Sequence, residues 1–339
     1  MLCGYNTYVH TPDDYQQTAK HGAVQGFDLN WYGDGQQVIA VWQAGIIPTL
    51  HWHWSFDGDS AWRGKRSTPV DVDAMVTEGT ATHQQAITEL AEIADTLQIL
   101  EDADVPVLFR PLHEIDGGWF WWTDKDDPTN TAALWKMIYH YLTDERGLDN
   151  LIWVYSAGVG NKTVDYRKLF YPGADYVDIS GIDIYNVDFE TGAEADKYWS
   201  YWNDMQEVSP GKMLALGECE AMPNPDLMAD NTTPRWLYAM PWYGVGSGWR
   251  SPDWGRFEMW HELVATADEM PSYGQDCLPN VGLVAPLDDG SAWYPTEPPT
   301  FEAYAVDRGG QMDQVLFRID GEEIGSVSEA PYRFTWSAA

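Results

Sequence analysis

The residues of this chain best equipped for chemistry stand together in Arg110-Pro111-Leu112-His113-Glu114-Ile115-Asp116-Gly117-Gly118-Trp119-Phe120-Trp121-Trp122. An apolar stretch, Val105 to Phe109, delivers a His-Glu pair to its end, and a turn with two glycines then brings three tryptophans. A carboxyl group beside open aromatic faces can protonate a glycosidic oxygen while a sugar ring stacks nearby. Retaining cleavage of such a bond needs a second carboxyl about 5–5.5 Å from the first, one serving as acid/base and the other as nucleophile. The second candidate is Glu218, which ends the run Met213-Leu214-Ala215-Leu216-Gly217. Glu220 competes with it. Glu218 is preferred because it follows the apolar run directly.

Two such carboxyls need a scaffold that brings distant segments to one place. Short apolar runs alternate here with amphipathic ones, and the strand candidates are 2–9, 23–29, 46–51, 105–112, 151–155, 176–185, 213–218 and 236–242. Several are continuously apolar, as parallel strands covered on both faces must be. Between them, Ile87, Leu90, Ala91, Ala94 and Leu97 form one helical stripe, and Leu134, Met137, Ile138, Tyr141 and Leu142 another. Thr11-Pro12-Asp13-Asp14 has the form of a helix start, and 253–270 reads as a last helix. This alternation predicts an α/β fold, a (β/α)8 TIM barrel, in preference to an open doubly wound sheet, for which no GxGxxG turn is present. The runs carrying Glu114 and Glu218 are then the fourth and seventh strands, whose ends share one mouth of the barrel.

Composition narrows the partners. Nineteen basic against 53 acidic residues give a formal net charge of −34, which repels a phosphate backbone and argues against nucleic acid. A neutral polysaccharide needs no charge attraction, and the 19 tryptophans leave some to spare for a binding groove. Cys3, Cys219 and Cys277 match no zinc spacing and read as buried thiols, a Cys219–Cys277 disulfide being the alternative. No run is long and apolar enough to span a membrane. Met1 to Tyr5 reads as entry into a strand rather than a leader, so a leader has been removed or the chain is a fragment.

Residues 110–122 resemble the motif of glycoside hydrolase family 26, whose best-known members are endo-β-1,4-mannanases. The resemblance runs from Leu2-Cys3-Gly4 through Ile182-Asp183-Ile184-Tyr185 and Leu216-Gly217-Glu218 to about Val284. It implies Glu114 as acid/base, Glu218 as nucleophile and net retention of configuration. It further implies that Trp119 lines the cleavage subsites, that His113 holds the glycone sugar or tunes the acid, and that Tyr185 hydrogen-bonds the nucleophile. Trp242 would be the platform beneath the glycone sugar. His53 is the closer match to the family's Trp-His pair, with His51 the alternative because Leu50-His51-Trp52-His53-Trp54 repeats the pattern. A His pair at i, i+2 could ligate a metal, but no third ligand stands out, so neither a metal nor a cofactor is expected. Where the family often has arginine after the strand-eight tryptophan, this chain has Tyr243.

Beyond Val284 the texture changes to a proline-punctuated stretch followed by short strands at 301–306, 314–319 and 332–336, with Asp320-Gly321 as a hairpin turn. The segment resembles the front of a bacterial immunoglobulin-like module, a partial β segment without catalytic role. The expected division is a catalytic domain over 1–290 and a linker plus partial Ig-like module over 291–339. The substrate expected is β-mannan, glucomannan or galactomannan, acted on by an extracellular monomer. A β-1,3-xylanase or mixed-linkage β-glucanase on the same scaffold is the first alternative. A non-catalytic glycan-binding protein is the second, disfavoured by the presence of both carboxylates.

Overall fold

A computed structural model describes residues 2–6, 22–30, 35–160, 162–185, 194–219, 223, 228, 231–242, 280–285, 300–306, 314–319, 322–328 and 332–335. Eight parallel strands close into a barrel in chain order: β1 (Leu2–Asn6), β2 (Val24–Asp28), β3 (Ile47–His51), β4 (Val107–Arg110), β5 (Leu151–Gly158), β6 (Ile179–Ile184), β7 (Met213–Cys219) and β8 (Tyr238–Pro241). Closure comes from β8 pairing with β1 through Leu2↔Tyr238 and Cys3↔Ala239. Six α-helices are described: α1 (Gln36–Gln43), α2 (Val72–Val76), α3 (Ala81–Glu101), α4 (Pro128–Tyr139), α5 (Val164–Lys168) and α6 (Glu194–Val208).

Period-two alternation sorts each strand into two faces. Val24, Leu108, Val154, Ile179, Ala215 and Tyr238, one from each of six strands, pack into a single cluster that fills the barrel interior. The next outward-facing residues, such as Phe27, Leu50, Phe109 and Tyr155, belong to the larger core beneath the helices. Both expected helical stripes face it, with Leu90, Ala94 and Leu97 on α3 and Leu134 and Ile138 on α4 buried, and Ile87, Ala91 and Met137 partly buried against it. Their N-termini are capped as their sequences specify. Thr80 accepts from the His83 amide, and Asp127 accepts from the Thr129 amide ahead of Pro128. Trp135 and Trp153 are core residues.

Two residues further along, the interior positions turn polar. Above Leu108 stands Arg110, above Val154 stands Ser156, and above Ile179 and Gly181 stands Asp183. The ladder register sets Asp28 beside His51 and His51 beside Arg110, so three polar side chains from three strands share one level. They occupy the C-terminal mouth of the barrel, where the connecting loops gather.

In the C-terminal part, β9 (Asn280–Ala285), β10 (Thr300–Val306) and β13 (Tyr332–Thr335) form one antiparallel sheet, and β11 (Val315–Ile319) pairs with β12 (Glu322–Val327). Ile319 faces Glu322, the register of a two-residue hairpin at Asp320-Gly321. The strands at 280–285 and 322–327 are additions to those expected from the sequence. The expected helices at 11–14 and 253–270, the far end of the 2–9 strand, and Cys277 lie outside the described residues.

Truncating Leu90, fully buried on α3, to alanine should cost about 2–5 kcal/mol, the range for core leucines. Urea denaturation followed by tryptophan fluorescence measures this. A loss below about 1 kcal/mol would place α3 off the core.

Candidate active site

Strand β4 ends at Arg110, and the chain leaves it through a loop in which Leu112 (φ 52°) and Glu114 (φ 50°) both adopt left-handed backbone. Such conformations are uncommon for residues with a Cβ and persist only where surroundings enforce them. The Ile115 amide donates to the Ser156 carbonyl, and the Gly117 amide donates back to the Glu114 carbonyl at 2.7 Å. Glu114 therefore stands four residues past the strand end and not directly upon it, aimed back over the barrel mouth.

Glu218 arrives by a different device. From Ala215 and Gly217 inside the barrel, strict alternation would send the next residue outward toward the helices. Ile182 pairs with Leu216 but Asp183 pairs with Glu218, so β7 carries one extra residue, Gly217, at this point. Such a bulge reverses the facing of everything after it. Gly217 is required on steric grounds too, because a Cβ there would stand 2.7 Å from Asp183 Oδ1 and 3.1 Å from Ser156 Oγ.

The two devices meet. Glu114, Asp183 and Glu218 each present a carboxylate oxygen within 4.8 Å of the others, all three buried. Among the described residues one cation bonds two of them. The Arg110 guanidinium donates to Glu218 Oε1 at 2.5 Å, to Asp183 Oδ2 at 3.3 Å and to the Gly217 carbonyl at 2.8 Å. Burial alone would lower the Arg110 pKa, but Asp183 and Glu218 outweigh it and raise it above the usual arginine value. Ser156 Oγ donates to Asp183 Oδ1 at 2.8 Å, and the Tyr185 hydroxyl donates to Glu218 Oε2. With one positive charge among three carboxyls, protons must be retained. Burial, then the Glu218 charge, pushes Glu114 up to about 8, against the weaker opposite pull of its hydrogen bond to Trp119. Burial likewise raises Asp183 well above the carboxylate range.

Trp119 Nε1 donates to Glu114 Oε2 at 2.6 Å, and its ring is seated by glycines. A Cβ on Gly117 would come within 2.5 Å of that ring, and one on Gly158 within 3.0 Å. Lys162 Nζ lies 5.4 Å from the ring centroid and 3.4 Å from Asp116, which is paired with the buried Arg167. Of the three tryptophans in the motif, only Trp119 is partly open. Trp121 and Trp122 are core residues whose Nε1 groups donate to the carbonyls of Trp54 and His113. The expectation of three presented tryptophans is corrected accordingly: the second and third hold the loop in place.

The opposite wall holds the histidines. His113, buried, packs edge-on against His53 (4.6 Å between centroids), Phe120 (4.8 Å) and His51 (5.4 Å). His53 is partly exposed and its Nδ1 lies 2.7 Å from Asp28 Oδ2. Trp242 follows β8, its amide bonded to the Cys219 carbonyl and its ring 5.4 Å from His51. All seven expected site residues, Glu114, Glu218, His53, His113, Trp119, Tyr185 and Trp242, thus border one mouth. Both His51 and His53 reach it, so the register question has no single winner.

Sequence reasoning passes over Arg110, Asp183, Asp28 and Trp62. Asp28 and Arg110 carry a signal, each being a charged residue that ends a strand run, whereas Asp183 stands one residue inside β6. Trp62 is 42% exposed with its ring 4.7 Å from Phe120, and nothing in its sequence context marks it. Asp28 also supplies the third potential ligand beside His51 and His53 that the sequence does not reveal. Glu220 and Tyr243 lie outside the described residues.

The raised Glu114 pKa has a stability consequence. The unfolded chain releases this proton near 4.5, whereas the folded chain holds it until about 8. In that window the native state binds more protons, so stability is full below 4.5 and is lost as pH rises through 8. Glu114→Gln removes the liability, and its Tm gain should grow from pH 4.5 to pH 8 by at least about 2–4 °C, the shift that ~1 kcal/mol brings in a domain this large. A pH-independent difference in calorimetry would contradict the assigned environment.

Known proteins share both the sequence pattern and the fold around this site. A sequence model of glycosyl hydrolase family 26 matches residues 17–262, and one of a bacterial Ig domain matches residues 279–339. A mannan endo-1,4-beta-mannosidase of Bacillus subtilis (strain 168) is 40% identical over 171 residues, 48% of this chain and 45% of that protein. One from Thermothelomyces thermophilus is 30% identical over 283 residues, 76% of this chain and 55% of that protein. The chain thus spans about half the length of these curated relatives. Among solved structures, the beta-mannanase from a symbiotic protist of the termite Reticulitermes speratus, complexed with gluco-manno-oligosaccharide, superposes with a TM-score of 0.68 at 33% identity, covering 80% of this chain and 90% of that one. The family match spans well over half the sequence, and the chain belongs to glycosyl hydrolase family 26.

Proposed function

We propose that the chain is a retaining endo-β-1,4-mannanase acting on β-mannan, glucomannan or galactomannan by double displacement. The observation that carries the mechanism is the approach of Glu114 and Glu218 to within 4.8 Å, the close spacing of a retaining pair and too short to seat the water of an inverting one. The mannan assignment is supported by the names of the relatives, mannan endo-1,4-beta-mannosidases, and by the oligosaccharide bound in the protist enzyme.

Glu114, protonated at neutral pH, donates its proton to the glycosidic oxygen as the bond breaks. Glu218, aimed by Arg110 and Tyr185, attacks the anomeric carbon and forms a covalent glycosyl-enzyme. Glu114, now ionised, takes a proton from the incoming water, which releases the sugar with its configuration retained. Trp119 steadies the acid through its indole N–H while its open face lines the cleavage subsites. His53, His113 and Trp242 form the glycone wall, and Trp62 adds an exposed aromatic face next to it. Extracellular action as a monomer accords with a polymeric substrate, as does a C-terminal Ig-like segment that takes no part in the chemistry. No described helix is long and apolar enough to cross a membrane.

Reducing-sugar release from galactomannan, mixed-linkage β-glucan and β-1,3-xylan, measured side by side, tests the substrate. Galactomannan should be cleaved fastest, and activity confined to either of the others would overturn that choice while sparing the mechanism. Activity should persist up to about pH 8 and fall above it as Glu114 loses its proton. On an activated aryl mannoside, azide should rescue Glu218→Ala with an α-glycosyl azide and Glu114→Ala with the β-product. Exchanged stereochemistry would reverse the two roles.

A further inference from the structure

Beside the catalytic carboxyls, on the wall built by β2 and β3, lies a cluster of which the proposed reaction uses His53 alone, as part of the glycone wall. Asp28, His51 and His53 each offer one ligand atom, all within 4.8 Å of one another. Asp28 Oδ2 lies 2.7 Å from His53 Nδ1 and 3.8 Å from His51 Nε2. His51 is buried with neither ring nitrogen hydrogen-bonded among the described residues, and the neighbouring His113 Nδ1 is equally unpartnered. A buried imidazole leaving both nitrogens unused has given up its hydrogen bonds to water without replacement, a loss that a ligand would recover.

We propose that Asp28, His51 and His53 form a binding site for a transition-metal dication of the zinc type, whose occupancy blocks the glycone wall. A tetrahedral ion with bonds of about 2.0–2.1 Å sets its ligands about 3.4 Å apart. The two carboxylate–imidazole separations, 2.7 and 3.8 Å, bracket that distance. Two imidazoles and one carboxylate suit zinc, cobalt, nickel or copper, whereas calcium and magnesium demand oxygen shells. His51 is available to a ligand because neither of its ring nitrogens has a partner among the described residues. For His53 to ligate through Nδ1, its proton must sit on Nε2, so the hydrogen bond to Asp28 is exchanged for a shared ion. The fourth position falls to water or to His113, whose ring centroid is 4.6 Å from that of His53. The second carboxylate cluster, Glu114 with Asp183 and Glu218, does not compete, since the Arg110 guanidinium already fills the place of a cation there.

The blocking effect rests on the proposed mannanase reading; binding itself does not. Two readouts therefore separate them. Titration of the full chain with Zn2+ in excess Mg2+, which occupies the acidic surface, should show one site per chain by calorimetry. Co2+ in its place should give the intense visible bands of a four-coordinate N/O site. His51→Gln and Asp28→Asn, each checked for native circular dichroism, should weaken Zn2+ at least about tenfold. Zn2+ should then inhibit mannan hydrolysis competitively, with recovery on chelation. Absence of a one-to-one site, or a site indifferent to both substitutions, would overturn the proposal. Binding without inhibition would refute the blocking role alone, and binding by a chain inactive on every glycan would leave the site standing and remove the mannanase reading.

Discussion

One guanidinium set among three buried carboxyls, two of which it bonds, is the constraint on which the site depends. Arg110 bonds Glu218 and Asp183 directly and fixes the carbonyl of Gly217 between them, at a cost in desolvation that only this full set of partners offsets. Because a single positive charge cannot balance three negative ones in so dry a place, protonation is divided among them. Among the described residues the Glu114 carboxyl touches no cation directly and bonds the Trp119 indole N–H, which makes it a natural holder of a proton. Glu218, held by Arg110 and Tyr185, is the one fixed in aim. The proposed acid and nucleophile differ by their neighbours and not by their chemical type.

The barrel supplies that constraint through register. Parallel ladders place Asp28, His51 and Arg110 at one height and bring Gly158, Asp183 and Glu218 to another part of the same rim. Two local departures from regularity complete the rim, the left-handed backbone at Leu112 and Glu114 and the extra residue at Gly217. The left-handed backbone at Leu112 and Glu114 costs conformational energy, and both departures lie at the proposed catalytic carboxyls.

Most of the barrel is legible in the chain. Strands covered on both sides leave unbroken apolar runs, and helices leave stripes, so five of the eight strands begin within one residue of their expected starts. The exceptions, β4, β6 and β8, start later because Val105-Pro106, Tyr176 to Asp178 and Trp236-Leu237 precede the first paired residue of each ladder. The apolar run that leads to Glu114 overstates its strand for a related reason: Pro111 and Leu112 are apolar, and hydropathy does not register a left-handed turn. Glu218 stands out for following an apolar run, yet unbroken alternation would face it outward, and only the bulge turns it in. Arg110 is visible as a charge ending an apolar run, but its role is not, because its partners Asp183 and Glu218 lie 73 and 108 residues away and meet it only in the fold.

Trapping the covalent intermediate tests the central claim most directly. A 2-deoxy-2-fluoro-β-mannosyl donor with a good leaving group should inactivate the enzyme with one sugar bound per chain, and peptide mass spectrometry should find that sugar on Glu218. Attachment to Glu220 or any other residue, or steady turnover without a trapped adduct alongside inverted product, would contradict the account.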